Sequence, residues 1–468
     1  QSYQEGFRSV EHLKRYTTLG MATDQGKTSN ILGLALMTEA TGKTIEDTGT
    51  TIFRPPYNPV AIGALAGRAR GKDFRPYRLT PSHEWAQDNG ADFVESGAWL
   101  RAQWFKRPGE KGWRDSVDRE VTMTRKSVGI CDVTTLGKID IQGRDAAEFL
   151  NRIYANPFLK LAVGKVRYGL MLREDGFCYD DGTTARLAEN HFVMTTTTAN
   201  AAVVFRNMEF ARQCLWPELD VHLISITDGW AQFAVAGPNS RALLSKAVDH
   251  LDLSNEAFPF MGCAECTVFR GTPARLFRIS FSGELAYELA VPARYGDALI
   301  CALMQVGEEF DVTPYGIEAL SVMRIEKGHA AGSELNGQTT AENLGLGGMV
   351  SKKKDSIGSA LSRRPEMIRE DGLRLVGFRP VDKSAGLNAG AHFLATGDPV
   401  DMAHDQGWMT STAHSSELGH SVGLGFLKGG QDRMGETLRA YDPVRGKDTL
   451  VEVCSADHID PEGGRQRG

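Results

Sequence analysis

No apolar run in the sequence approaches the length of a membrane span, so a helical crossing is excluded. Nor is there a surplus of positive charge. Lys and Arg total 53 against 59 Asp and Glu, a net charge of -6, which argues against non-specific binding to nucleic acid. Cysteine is sparse: seven residues, an odd number and mostly scattered, as suits a reducing, cytoplasmic setting. The one close pair, Cys263 and Cys266, has no second pair or histidine cluster beside it and reads as inert thiols. There is no HExxH, and the eleven histidines form no ligand cluster, so no metal site is expected. No GxGxxG follows a strand, which excludes dinucleotide binding in the Rossmann manner. Gly26-Lys27-Thr28 lacks the upstream Gly of a phosphate loop. The GxSxG string Gly419–Gly423 runs into Gly-rich, strand-like sequence instead of a helix, so it is not a nucleophile elbow. Ser282 reads as a turn residue, His329 as structural, and Lys352–Lys354 as a solvated run. The absence of an initiating Met and of a signal-peptide pattern fits a processed product or a piece of a larger polypeptide.

What is present is enough chain for two or three domains: 468 residues, 41% hydrophobic and 24% charged. Residues 30 to 41 read as a helix. From Arg54 to Pro81 the chain is rich in Pro, Gly and Arg, with Pro55, Pro56, Pro59, Pro76 and Pro81, and reads as an extended arm or linker. Trp85, Trp99, Trp104 and Trp113 then crowd together, a density that suits burial or a subunit contact. Strands and helices alternate from there: Lys138–Gln142, the Asp145–Tyr154 helix, His191–Thr197, the Ala199–Gln213 helix, and Val221–Ile226 with Ala231–Val235. A hairpin spans Arg275–Phe281 and Ala286–Val291, and helices cover Tyr295–Val306 and Gly316–Lys327. Hairpins mixed with helices make this an α+β fold. Beyond about Leu361, short strands between Gly-rich turns form a small all-β domain.

The stretch Tyr168–Leu187, YGLMLREDGFCYDDGTTARL, carries an adjacent carboxylate pair, Asp180-Asp181, beyond the turn signal Glu174-Asp175-Gly176. Asp-Gly supplies the positive φ that a hairpin needs. Adjacent residues in a strand face opposite sides. Asp180 is taken as the inward acid and Asp181 as a solvent or structural group.

Several motifs, in this order, resemble the folate-binding aminomethyltransferase family of the glycine-cleavage T-protein. They are Gly129–Thr134, Gly143 with the Asp145–Leu150 helix, Gly164–Tyr168, Asp175–Asp181, Ala234–Pro238, Phe281–Glu288 and Arg324–Gly328. Residues 1 to 80 resemble the connector in the alpha-subunit family of heterotetrameric sarcosine oxidases. The connector is also similar to a small iron–sulfur module whose cysteine positions hold Asp24 and Ser29 here, so no cluster is expected. The resemblance implies three parts: a connector at 1–81, an aminomethyltransferase-like folate domain at 82–361 and a C-terminal β-barrel at 362–468. It implies tetrahydrofolate as ligand, with Asp180 contacting the folate and acting as the catalytic acid. Tyr168 becomes a pocket aromatic, and Glu288 the carboxylate that accepts the pterin's paired N–H donors. FAD or FMN is expected in or at a partner beta subunit, beside smaller subunits. NAD is expected only in a dinucleotide-binding region ahead of the connector. The implied function is capture of the one-carbon unit from sarcosine demethylation as 5,10-methylenetetrahydrofolate. The alternatives are a free-standing aminomethyltransferase of glycine cleavage and a non-catalytic scaffold subunit. Two positions depart from the T-protein pattern: Phe281 stands where it has Tyr, and Leu320 where it has a folate-binding Arg.

Overall fold

The computed structural model describes residues 1–55, 58 and 60–468. Pro56 and Pro59 of the expected arm lie outside the described residues. Residues 1–77 form one compact unit and residues 78–468 another.

The first unit carries α1 (Val10–Tyr16), α2 (Ser29–Thr41), α3 (Ile45–Thr48) and α4 (Ile62–Ala66). α2 starts where it does because Asp24 accepts from the Ser29 and Thr28 backbone N–H groups at 2.8 and 3.1 Å, and from the Thr28 hydroxyl at 2.9 Å. Those donors would otherwise be orphaned at a helix start. It ends at Gly42, whose φ of 67° suits a residue without Cβ. Arg54 fastens the returning chain by donating to the Leu19 and Lys14 carbonyls at 3.0 and 2.6 Å. The stretch expected to be irregular thus contains the helix α4.

The second unit opens with α5 (His83–Asp88), the hairpin β1 (Ala91–Ser96) and β2 (Trp99–Phe105), and α6 (Trp113–Lys126). Next come β3 (Gly129–Asp132), β4 (Gly137–Gln142), α7 (Ala146–Ile153), β5 (Lys165–Leu172), β6 (Cys178–Ala188) and β7 (His191–Thr196). α8 (Ala201–Phe210), β8 (His222–Ser225), β9 (Trp230–Ala236), α9 (Ser240–Ala247) and β10 (Val248–Asp249) follow. Then come β11 (Cys263–Val268), β12 (Thr272–Phe277), β13 (Ala286–Pro292), α10 (Gly296–Gly307), β14 (Thr313–Pro314) and α11 (Ile317–Glu326). The last strands are β15 (Leu373–Pro380), β16 (His392–Ala395), β17 (Gly407–Ser415), β18 (His420–Lys428), β19 (Thr437–Asp442) and β20 (Lys447–Cys454).

These strands form a seven-stranded sheet, β10-β11-β12-β13-β9-β3-β14, a five-stranded sheet, β5-β6-β7-β4-β8, and a closed barrel, β15-β18-β17-β16-β19-β20. Strand alternation decides what each sheet face meets. Tyr287, Leu289 and Val291 of β13 bury against Leu243, Leu244, Leu299 and Leu303 of α9 and α10. Ile139, Ile141, Met171 and Met194 of the second sheet bury against Phe149, Leu150, Val204 and Met208 of α7 and α8. The inner faces meet in a smaller cluster: Val166 and Ala185 from β5 and β6 against Phe277, Ile279 and Ala290. The barrel has its own core, with Phe378 and Phe393 stacked at 4.1 Å, and packs its outer face on α11. No helix of the described residues is long and apolar enough to cross a membrane.

Three sequence expectations meet the structure directly. Cys263 and Cys266 lie on one strand, opposite Phe277 and Ala274, so their odd spacing turns them to opposite faces. Ser421 lies inside the β17–β18 hairpin, paired with His414, with no strand-to-helix elbow around it. The expected solvated lysine run is corrected at Lys354. Its ammonium donates to the Asn151 and Tyr154 carbonyls, capping the C-terminus of α7, where orphan carbonyls favour a cation.

Candidate functional site

The β5–β6 hairpin turns at Arg173–Phe177, where the Arg173 N–H meets the Phe177 carbonyl at 2.8 Å and Gly176 takes φ 91°. β6 begins at Cys178, so the carboxylate pair lies within the strand. A bulge opposite Met171–Leu172 shifts the register just before the pair. Asp180 then pairs with Met171, and Asp181 with Leu170.

The two acids have different surroundings. Asp180 is fully buried on the face toward α8. It accepts from the Asn200 amide at 3.2 Å and the Thr197 N–H at 3.3 Å. Burial pushes its pKa up to about 7, against the pull of the Thr197 and Asn200 hydrogen bonds. Asp181 is partly buried on the inner face and accepts from the Tyr168 hydroxyl at 2.7 Å. Burial raises its pKa, and the Tyr168 hydrogen bond opposes the rise. Burial, then the Asp181 charge, raises the Tyr168 hydroxyl well above the ordinary tyrosine range. The structure therefore joins Tyr168 to Asp181, and leaves Asp180 on the opposite face of β6.

Glu288 comes to the same interlayer from the other sheet. It pairs with Ala234 of β9 and Phe277 of β12. By alternation it shares its face with Ala290, which packs in the interlayer cluster with Ala185. Ala185 in turn shares its face with Thr183 and Asp181. A cavity between the sheets is lined by Thr183, Ala185, Val193, Thr195, Gln232, Phe277 and Ile279. Gln232 donates its amide to Glu288. Burial raises the Glu288 pKa, and Gln232 and the Lys138 charge oppose this.

Sequence reasoning missed Asp181 as an inner-face group, along with Gln232 and Lys138. Lys138 is 2% exposed, and its ammonium donates to the Thr134 and Leu136 carbonyls at 2.6 and 3.2 Å. A lysine alternating with Ile139 and Ile141 on a buried strand was the available signal. Leu320 packs with Trp104, Leu136 and Ala234 against the core under the barrel and supplies no charge there. Phe281 is 40% exposed and stacks on His329, whose Nδ1 lies 3.0 Å from the Phe281 carbonyl oxygen. No group of three or more His, Cys, Asp or Glu among the described residues could hold a metal ion.

Two inner-face carboxylates, each held by a neutral donor, are suited to accept N–H groups from a polar heterocycle or amine. Residues 82–354 match the GCVT N-terminal domain, and residues 374–460 the glycine cleavage T-protein C-terminal barrel domain. Residues 1–68 match the sarcosine oxidase A3 domain. The sarcosine oxidase subunit alpha of Rhizobium meliloti (strain 1021) is 51% identical over 99% of this chain and 47% of its own length. An aminomethyltransferase of Geobacillus sp. (strain WCH70) is 28% identical over 81% of this chain and 97% of its own. The chain thus spans about half the length of the sarcosine oxidase subunits it matches. The solved glycine cleavage system aminomethyltransferase T from Bartonella henselae shares the fold, with TM-score 0.69 and 22% identity over 82% of this chain and 98% of that one. With the T-protein domain, its barrel and an A3 domain in one chain, this protein belongs to the glycine-cleavage T-protein (GCVT) family, in the arrangement found in sarcosine oxidase alpha subunits.

Proposed function

We propose that the chain binds tetrahydrofolate between its two sheets and captures, as 5,10-methylenetetrahydrofolate, the one-carbon unit released by oxidative demethylation of sarcosine. The observation that carries this reading is the pair of inner-face carboxylates, Asp181 on the Tyr168 hydroxyl and Glu288 on the Gln232 amide. The donor chemistry fits, because tetrahydrofolate presents N–H groups at its pterin edge and at N5 and N10. When bound, it supplies two amine nitrogens that close on a one-carbon electrophile. Glu288 accepts the paired donors of the pterin. Asp181, with its raised pKa, takes up a proton as the ring closes. Asp181 takes over the contact expected of Asp180, which acts from behind as a second, buried acid. Apolar Ala185, Val193, Phe277 and Ile279 keep water from the electrophile.

In this reading the flavin chemistry belongs to a partner beta subunit in a cytoplasmic hetero-oligomer, and NAD to a region outside residues 1–468. The A3 match at residues 1–68 favours it over a free-standing aminomethyltransferase. Calorimetry with tetrahydrofolate should give saturable heat for the assembled complex. Asp181→Asn should cut methylenetetrahydrofolate formation by about a hundredfold or more while flavin reduction by sarcosine continues. Absence of folate heat sinks the reading. Unchanged product yield in Asp181→Asn removes that residue from it.

A further inference from the structure

A second enclosed space lies at the edge of the seven-stranded sheet, and no residue of its lining is shared with the cavity between the sheets. It follows from the shortness of β14. Thr313 and Pro314 pair with Gly129 and Ile130, and beyond them β3 runs on without a strand partner on that side at Cys131 and Asp132. The Tyr315 N–H still meets the Ile130 carbonyl at 3.0 Å, which holds its ring at the gap. Trp85 of α5, Phe93 of β1 and Phe105 of β2 line the space, with Phe233 and Ile300 completing an apolar wall. Two lining side chains carry donors that meet nothing. The Tyr315 hydroxyl and the Arg101 Nε are buried and have no hydrogen-bond partner among the described residues. Tyr315 is 1% exposed. Arg101 gives one Nη to the Asp132 carbonyl at 3.2 Å, and no carboxylate of the described residues lies in ion-pair range of its guanidinium. Asp132, which also lines the space, spends its carboxylate on the Ser82 hydroxyl at 2.5 Å and the Thr134 N–H at 2.8 Å.

We propose that this space is a binding site for a small monoanion, of formate or halide size, held between the Arg101 guanidinium and the Tyr315 hydroxyl. Three features select that class. Both unmet groups donate, so the ligand must accept. One of them belongs to a cation without a counter-ion, so a negative ligand supplies the partner that a charge held away from water requires. The space measures about 20 Å3, against roughly 10–15 Å3 for a single water, which admits a few heavy atoms and excludes phosphate esters, amino acids and folates. A water could accept from both donors, but it would bring two hydrogens of its own to walls that are mostly aromatic and aliphatic. The neighbouring acids do not compete for the place. Burial carries the Tyr315 hydroxyl well above the ordinary tyrosine range, with the Arg101 charge opposing the rise, so the hydroxyl remains a donor. Burial pushes the Cys131 thiol up to about 12, so it remains neutral beside the ligand. The site uses none of Tyr168, Asp181, Gln232 and Glu288 and stands apart from the folate reading.

The test melts the full chain in sodium formate, sodium bromide and sodium sulfate at matched ionic strength. Formate or bromide should raise the melting temperature saturably, as a ligand of the folded state does, and sulfate, too large for the space, should not. Tyr315→Phe and Arg101→Met keep most of each side chain's bulk and remove its donors. Each should weaken the anion's apparent affinity about tenfold or more. Tyr315→Phe loses only a hydroxyl that meets no protein group, so its melting temperature in sulfate should match or exceed that of wild type, and it carries the test if Arg101→Met does not fold. In crystals soaked with bromide, anomalous density should lie between the Tyr315 hydroxyl and the Arg101 Nε and be missing from Tyr315→Phe. A tighter formate assigns a carboxylate and a tighter bromide a halide, and either upholds the site. No rise in either salt overturns the inference, as does a rise that never saturates and is equal in wild type and Tyr315→Phe, or an ordered water alone at the bromide position. A saturable rise in a chain that gives no folate heat upholds the anion site and leaves the folate reading to fall by itself.

Discussion

Two regions of the second unit bury carboxylates and treat them in opposite ways. Under the barrel, Glu284, Glu326 and Glu334 are each met by arginine. Arg125 donates to Glu284 and Glu326, and Arg324 to Glu334 at 2.9 Å. Hydroxyls complete the sets: Ser415 on Glu326, and Thr410 and Ser411 on Glu334, all at 2.6 Å. Asp181 and Glu288 between the sheets, and Asp180 behind them on the face toward α8, instead meet neutral donors: the Tyr168 hydroxyl, the Gln232 amide, and the Thr197 N–H with the Asn200 amide. Paired charge joins α6 and α11 to the barrel. Charge held by neutral groups is left sensitive to protons, which suits a site and not a joint. The same side chains thus serve cohesion in one place and chemistry in the other, and the neighbour decides which.

The largest break in this contrast comes from the joint. Arg125 is 6% exposed, and Arg125→Met would leave Glu326 buried without an arginine and Glu284 with Arg465 alone, at 3.0 Å. Stranding buried charge costs about 3–5 kcal/mol. Urea unfolding should register a loss of that order, while tetrahydrofolate affinity, measured where the fold survives, should stay close to wild type. A loss under about 1 kcal/mol would mean that the joint does not depend on its ion pairs.

The site should respond in the reverse sense. Asp180 titrates near 7 in the folded chain against 3.8 for a free side chain, so the folded state holds the proton more tightly. Its contribution to stability is complete below about pH 4 and is lost as pH rises through about 7. Asp180→Asn removes the buried charge and should make the chain more stable at pH 8, by about 2 kcal/mol, with the gain vanishing toward pH 4. Thermal melting at both pH values reads the difference. A variant less stable at pH 8 would place Asp180 with the paired acids of the joint.

How much of this contrast the sequence carries follows from its local content. Alternation and the Asp-Gly turn mark the β5–β6 hairpin, and the all-β texture after Leu361 marks the barrel, because both are set by neighbours in the chain. Glu288 is legible as an acid inside a strand whose other face is apolar. Asp180 is the more buried acid of its pair, as alternation led one to expect, but which layer each acid faces is not legible, because the bulge opposite Met171–Leu172 moves the register by one, and a one-residue shift exchanges the two faces. Gln232 and Lys138 are illegible for a different reason. They acquire their meaning only where two sheets meet, about fifty residues or more of chain away from Glu288. The Arg125 pairs are hidden likewise, spanning 159 and 201 residues of chain.

The smallest perturbation tests the neutral donor itself. Tyr168→Phe keeps the ring that packs in the hairpin and removes only the hydroxyl 2.7 Å from Asp181. That hydroxyl lowers the Asp181 pKa against burial, so its loss leaves burial unopposed and the proton more tightly held. A hydrogen bond to a charged group contributes about 1.5–3 kcal/mol, less at a partly open site. The acidic limb of methylenetetrahydrofolate formation should therefore move upward, with the rate least changed at the alkaline end of the profile, where the base is most fully ionised. A uniform loss across pH would make Tyr168 a packing residue. An arginine in place of the tyrosine would turn the site electrostatically into a copy of the joint. The phenylalanine does the opposite, carrying the acid one step further from paired charge, and the direction of the pH shift decides whether the neighbour governs the function.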